Sequence, residues 1–231
     1  VEGRFVDMSI ISCVYVPEGI VLTGDSRITH TADRGNGIKE VYSLSDNNQK
    51  VFLLSKKRVG IATCGSAFIN NSSIADFLRK FEIEQLTGSE SIEEIANRLM
   101  NSLKENNADG VILFLVGYKN NDTQYFAEIT SATVIHKNIP HENGNPNYGI
   151  SWKGETLAIS KLLVLDPQTY IWFDVMPLKD AVDLAEFLID LTIKYERFKD
   201  GVATCGGPID ILVVTKDYGK FLKHKVLGSV I

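Results

Sequence analysis

Ser9-Ile10-Ile11-Ser12-Cys13-Val14-Tyr15-Val16 followed by Pro17-Glu18-Gly19 and then Ile20-Val21-Leu22-Thr23-Gly24-Asp25-Ser26-Arg27 is the stretch on which the reading of the fold turns. The first run is dominated by β-branched and aromatic residues and predicts a strand. Pro17 to Gly19 supply turn geometry, and Ile20 to Gly24 predict the partner strand of a hairpin. The hairpin ends on a charged pair, Asp25 and Arg27, where chemistry can sit at a strand terminus.

Downstream, Val41 to Leu44, Lys50 to Leu54 and Val59 to Thr63 read as short strands, and the polar, Gly-containing Thr31 to Gly37 reads as a loop. Ile74, Phe77, Leu78 and Phe81 recur at i, i+3, i+4, i+7, the spacing of an amphipathic helix. Ser91-Ile92-Glu93-Glu94 is a capping-box signature, and Ile92, Ile95, Ala96, Leu99 and Leu103 line one face of the helix it starts. Asn106 to Gly110 closes that helix. Val111 to Tyr118, Gln124 to Ile129 and Ala132 to His136 are the next strands, and the Asn-, Pro- and Gly-rich Asn138 to Asn147 is a loop. Tyr148 to Trp152 leads into a helix over Glu155 to Leu163. A long helix runs from Pro177 to Phe198, its inner face carrying Leu178, Ala181, Val182, Ala185, Leu188, Ile189, Thr192 and Tyr195. Ile209 to Thr215 and Phe221 to Val226 are the last strands.

The order is strands, two helices, strands, two helices, strands. That is not the strict alternation of a parallel doubly wound sheet; it suggests antiparallel sheets covered by helices, an α+β class. Composition leaves open whether these form two layers or four.

The chain of 231 residues can be one large domain or two small ones, and no repeat, low-complexity stretch or linker composition divides it. Net charge is −5, which gives no footprint for nucleic acid or an anionic membrane. The apolar runs are too short to span a bilayer, and no signal-peptide pattern opens the chain. Three cysteines, Cys13, Cys64 and Cys205, form no C-x-x-C spacing, which fits a reducing cytosol better than a disulfide framework or a zinc site. The four histidines show no metal-ligand spacing. No cofactor is expected.

In sequence order, Ser9, the hairpin to Gly24, Asp25-Ser26-Arg27, Lys50 before Val51-Phe52, and Thr63-Cys64-Gly65-Ser66 resemble the N-terminal half of proteasome β-type subunits, members of the N-terminal-nucleophile (Ntn) hydrolases. The segment Tyr148 to Gly154 resembles the one that carries the family's supporting serine, and Gly149 to Gly154 looks closer to the bacterial proteasome-like branch called Anbu. The resemblance implies a four-layer αββα sandwich, with 9–231 as a single Ntn-hydrolase domain. It also implies a hydrolase that cleaves peptide or amide bonds. Ser9 falls on the nucleophile, Asp25 on its acidic partner, Lys50 on the catalytic lysine, and Gly65 on the glycine whose N–H faces the oxyanion. Ser151 falls on the supporting serine. Asp200, with Asp190 as rival, is the candidate for the aspartate that contacts the nucleophile, and Thr204 or Cys205 stands where the family has a second serine.

The chemistry needs a free amine on the nucleophile's own residue, because a serine hydroxyl is weak without a base. An α-amino group titrates near working pH, and a neighbouring lysine cation would keep it neutral. Residues 1–8 therefore read as an extension, an expression remnant or a propeptide, whose removal exposes Ser9. If it is retained, the chain reads as a non-catalytic, proteasome-like scaffold subunit. A small-substrate amidase is a third reading. The resemblance further implies a peptide or protein substrate, a homo-oligomeric ring or stack, an unfoldase partner and a cytoplasmic setting, with no nucleic acid and no membrane.

Overall fold

A computed structural model describes residues 9–33, 37, 39–163 and 170–226; the expected extension, 1–8, lies outside the described residues. The order is β1 (Ile10–Val16), β2 (Gly19–Gly24), β3 (Ile28–Asp33), β4 (Lys39–Ser45), β5 (Val51–Leu54), β6 (Val59–Gly65), β7 (Phe68–Ile69), β8 (Ser72–Ser73), α1 (Ile74–Gln85), α2 (Ile92–Glu105), β9 (Val111–Tyr118), β10 (Gln124–Ile129), β11 (Val134–His136), β12 (Gly149–Gly154), α3 (Leu157–Leu163), a 3-10 turn (Phe173–Val175), α4 (Leu178–Phe198), β13 (Asp210–Val214) and β14 (Gly219–Lys223). The class is α+β.

Two five-stranded sheets carry the structure, one ordered β12-β1-β2-β13-β14 and the other β11-β10-β9-β6-β5. Neighbouring strands in both are antiparallel. Strand alternation sorts the side chains into separate apolar clusters. Ile11, Cys13, Tyr15, Leu22 and Leu212 of the first sheet share one cluster with Ala62, Cys64, Phe114, Val116 and Phe126 of the second. The opposite face of the first sheet, through Val14, Val16, Val21 and Val213, packs on Ala181, Val182 and Ala185 of α4. Ile10 joins Ile159 of α3 and Leu188 and Ile189 of α4. The opposite face of the second sheet, through Ile61, Leu113 and Leu115, packs on Leu78 and Phe81 of α1 and Ile95, Leu99 and Leu103 of α2. Cover on both faces is why β1 and β2 are buried along their whole length.

Local chemistry explains the helix starts. Ser91 and Glu94 make both halves of the capping box. Ser73 accepts from the amide of Asp76 to begin α1. Pro177 occupies the N-cap of α4 but has no side-chain oxygen to offer; Glu18, from the β1–β2 turn, accepts from the Leu178 amide at 2.7 Å instead.

Beyond shifts of a few residues at element ends, two expectations differ from the structure. The loop at Thr31 to Gly37 begins as strand: β3 continues to Asp33 and pairs Thr31 with Val41 and Asp33 with Lys39. This hairpin stands apart from both main sheets, so it has no buried face to impress an apolar period on the sequence. On α4 the buried position is Glu196 rather than Tyr195, because polar partners, described below, hold its carboxylate inside. Among the described residues no helix is long and apolar enough to cross a membrane.

Candidate functional site

Antiparallel pairing brings the start of β1, the end of β2, the start of β13, the end of β12, the start of β5 and the end of β6 to one end of the two sheets. Register places Ile10 opposite Gly154, Ile11 opposite Gly24, Asp210 opposite Gly24, and Val51 opposite Ala62. Ser9, Asp25, Lys50 and Gly65 thus share an end, although they come from four separate strands.

Asp25 is the centre of the arrangement and is fully buried. Its Oδ1 accepts from the Lys50 ammonium at 2.5 Å and from the Ile10 amide at 3.0 Å. Its Oδ2 accepts from the Arg27 amide at 3.1 Å and the Gly206 amide at 3.0 Å. Lys50 is itself only 3% exposed. One carboxylate oxygen therefore ties the ammonium to the backbone directly beside Ser9. Ser9 is 5% exposed, and its carbonyl accepts from the Glu155 amide at 2.8 Å. The Lys50 carbonyl accepts from the Thr63 amide at 2.9 Å, which sets Gly65 two residues beyond the lysine's cross-strand neighbour.

Gly65 has φ +90°, and a Cβ there would lie 2.1 Å from the Gly110 carbonyl oxygen. Only glycine fits this turn at the end of β6. Gly154 is constrained in the same way, since a Cβ would lie 1.8 Å from the Ser9 carbonyl oxygen. That close approach lets the Glu155 amide reach Ser9.

The loop after α4 moulds the other side. Gly206 accepts from the Ser26 amide through its carbonyl at 2.9 Å, and Pro208 accepts from the Ser26 hydroxyl at 2.5 Å. Arg27 is bidentate to Asp46, with Nε to Oδ1 at 2.6 Å and Nη2 to Oδ2 at 2.8 Å, and donates through Nη1 to the Ala203 carbonyl at 3.2 Å. The hydrogen bond from Arg27 holds the Asp46 carboxyl below its usual range. Burial, with the Asp25 charge adding to it, pushes the Cys205 thiol far up, and burial does the same to Cys13. Neither thiol supplies a thiolate nucleophile near neutral pH.

The structure brings Ser9, Asp25, Lys50 and Gly65 to one place and leaves Ser151 and Asp200 elsewhere. Ser151 lies in mid-strand on β12 opposite Cys13, four residues from Ser9, or roughly 13 Å along the strand. Asp200 is exposed on the loop after α4. Its rival Asp190 pairs with Lys194 at 2.6 Å on the outer face of that helix. At the Ser9 end the structure also presents the Glu155 amide, the Gly206 amide and Asp46. The glycine pair Gly206-Gly207 was the only sequence signal for that mould, and Gly154 the only one for the contact to Ser9. Among the described residues no cluster of His, Cys, Asp and Glu is arranged to hold a metal ion. Compared with known proteins, the chain matches no protein-family model and no curated sequence.

Proposed function

We propose that this chain is a proteasome-like Ntn hydrolase, a four-layer αββα sandwich over 9–231, that cleaves peptide or amide bonds with Ser9 as nucleophile once Ser9 is N-terminal. The observation that carries the reading is the buried Lys50–Asp25 pair whose shared oxygen also holds the Ile10 amide. Helices on the outer faces of both sheets support the layer order.

In this reading the free α-amine of Ser9 takes the hydroxyl proton as the oxygen attacks the substrate carbonyl. The Lys50 cation, held by Asp25, disfavours protonation of that amine beforehand. The N–H of Gly65, at the same end of the sheets, is the donor to the developing oxyanion. The amine then returns the proton to the leaving nitrogen, and water hydrolyses the ester formed on Ser9. Ser151 and Asp200 have no part in this scheme.

The test is mass spectrometry of protein made with Ser9 as its first residue and treated with a peptide epoxyketone. A covalent adduct on Ser9, lost in Lys50→Ala that keeps the wild-type circular dichroism spectrum, is the expected result. An unmodified Ser9 in a sample with a confirmed free N-terminus counts against the reading.

A non-catalytic scaffold subunit is the second reading, favoured by the apolar side chains left outside: Tyr170 is 74% exposed, Val175 69% and Phe198 82%. Those surfaces suit self-association. A large assembly by light scattering that stays inert with Ser9 freed selects the scaffold.

A further inference from the structure

Glu196 stands in the last turn of α4, where the helix dipole disfavours an acid, and it is nonetheless 4% exposed. Its neighbours explain why it is kept. Oε2 accepts from the Thr204 hydroxyl at 3.1 Å and the Thr204 amide at 3.4 Å, and Oε1 accepts from the Lys199 ammonium at 3.1 Å. Thr204 is flanked by Ala203, whose carbonyl takes Arg27, and lies two residues before Gly206, whose amide takes Asp25.

We propose that Glu196 is a positioning residue: it fastens the loop after α4 so that the Gly206 amide holds Asp25, and Asp25 in turn aims Lys50 at the Ser9 end. The proposal rests on the hydrolase reading for its catalytic consequence, and on geometry alone for the fastening. Gly206 leaves little slack, because its α-carbon lies against the Arg27 guanidinium; a Cβ there would approach to 2.6 Å. A loop freed at Thr204 therefore shifts Arg27 and the Gly206 amide together. Asp25 then loses a donor on Oδ2 and gains freedom to turn away from the ammonium on Oδ1. Glu196 touches no reacting atom in this scheme. Its effect belongs on the rate of Ser9 acylation, not on substrate affinity.

The experiment pairs Glu196→Ala with Glu196→Gln, the latter keeping an acceptor for Thr204. The first readout is amide hydrogen exchange of the peptide spanning 203–207, with the β9 peptide as internal control. Exchange in 203–207 is expected to rise about tenfold in Glu196→Ala, the loss of one charge-assisted contact, and to return most of the way in Glu196→Gln. The second is the rate of covalent modification of Ser9 by the epoxyketone, whose ketone takes the hydroxyl oxygen and whose epoxide is opened by the α-amine, expected to fall about tenfold in Glu196→Ala at saturating probe, with half-saturation unchanged within about twofold. Unchanged exchange overturns the fastening, and raised exchange with an unchanged modification rate overturns the positioning role. If exchange rises but the wild-type protein itself is not modified, the fastening stands and the hydrolase reading fails.

Discussion

Taking a lysine and an aspartate out of water costs several kcal/mol for each ion, and their attraction repays this only with close geometry and further hydrogen bonds. The Lys50 and Asp25 side chains are 4% and 0% exposed. The Ile10, Arg27 and Gly206 amides supply the further donors that Asp25 needs. Removing one partner strands the other. Asp25→Asn is expected to destabilise the fold by about 3 kcal/mol, and adding Lys50→Met is expected to recover part of that loss. Urea midpoints of the two single variants and the double variant close the cycle. Strict additivity would mean that the two side chains do not act as a pair in solution. At this scale the sequence was informative where a residue's partner follows from its place at a strand end, as for Asp25 and Lys50. It was mute where the role belongs to a backbone group: the Gly206 amide meets Asp25 across 181 positions, and no side chain announces it. Ser151 lies in mid-strand opposite Cys13, and the contact to the Ser9 carbonyl in that segment comes from the backbone instead, through Gly154 and the Glu155 amide.

Elements were legible in proportion to how much they bury. β9 and β10, with apolar residues on both faces, run over Val111–Tyr118 and Gln124–Ile129 as the pattern predicts. The β3–β4 hairpin, outside both sheets, was half missed. The connection between α1 and α2 was read only for its capping box, yet it holds a further buried acid. Glu90 Oε1 accepts from the Thr87 amide, the Thr87 hydroxyl and Arg98 Nη1, each at 2.9 Å, and Oε2 accepts from the Gly88 amide at 3.0 Å. These donors, the Thr87 amide foremost, hold its pKa down to about 2, from an ordinary 4.5. Because the folded value is the lower, the stabilisation is complete above the unfolded pKa and is lost as pH falls from 4.5 towards about 2. Glu90→Gln removes this dependence. Denaturant midpoints of wild type and variant, followed from about pH 6 to pH 2, are expected to differ most at the high end and to converge in acid. A gap that stays constant through that range would mean that the carboxylate gains nothing from the turn.

Across the whole molecule, the cluster between the sheets is what joins the sheet that carries Ser9 to the sheet that carries Gly65. Phe114 and Phe126 of the second sheet meet edge to face at 5.1 Å, and Phe126 lies 5.4 Å from Tyr15 of the first. Glu128 adds a polar tie at the rim, accepting Lys153 of β12 at 2.8 Å. Each sheet also has its own helix-covered face, so two designs are physically open: two half-molecules that touch, or one cooperative unit. The continuity of the inter-sheet cluster, with Phe114 wholly buried in it, argues for one unit. Phe114→Ala is expected to cost about 3–5 kcal/mol through lost burial and the cavity left behind. For a chain of this size that lowers the melting temperature by roughly 10 °C. With Trp172 replaced by Phe, Trp152 reports on the other sheet, packed beneath α3 and α4 on the face turned away from the inter-sheet cluster. In a cooperative unit its fluorescence transition moves by the same amount as far-UV circular dichroism and the two remain superimposed. A tryptophan transition that stays at the wild-type temperature while the dichroism splits in two would show that the sheets melt separately. A site assembled from strand ends of both would then lack the shared rigidity that holding Ser9, Lys50 and Gly65 in one geometry requires.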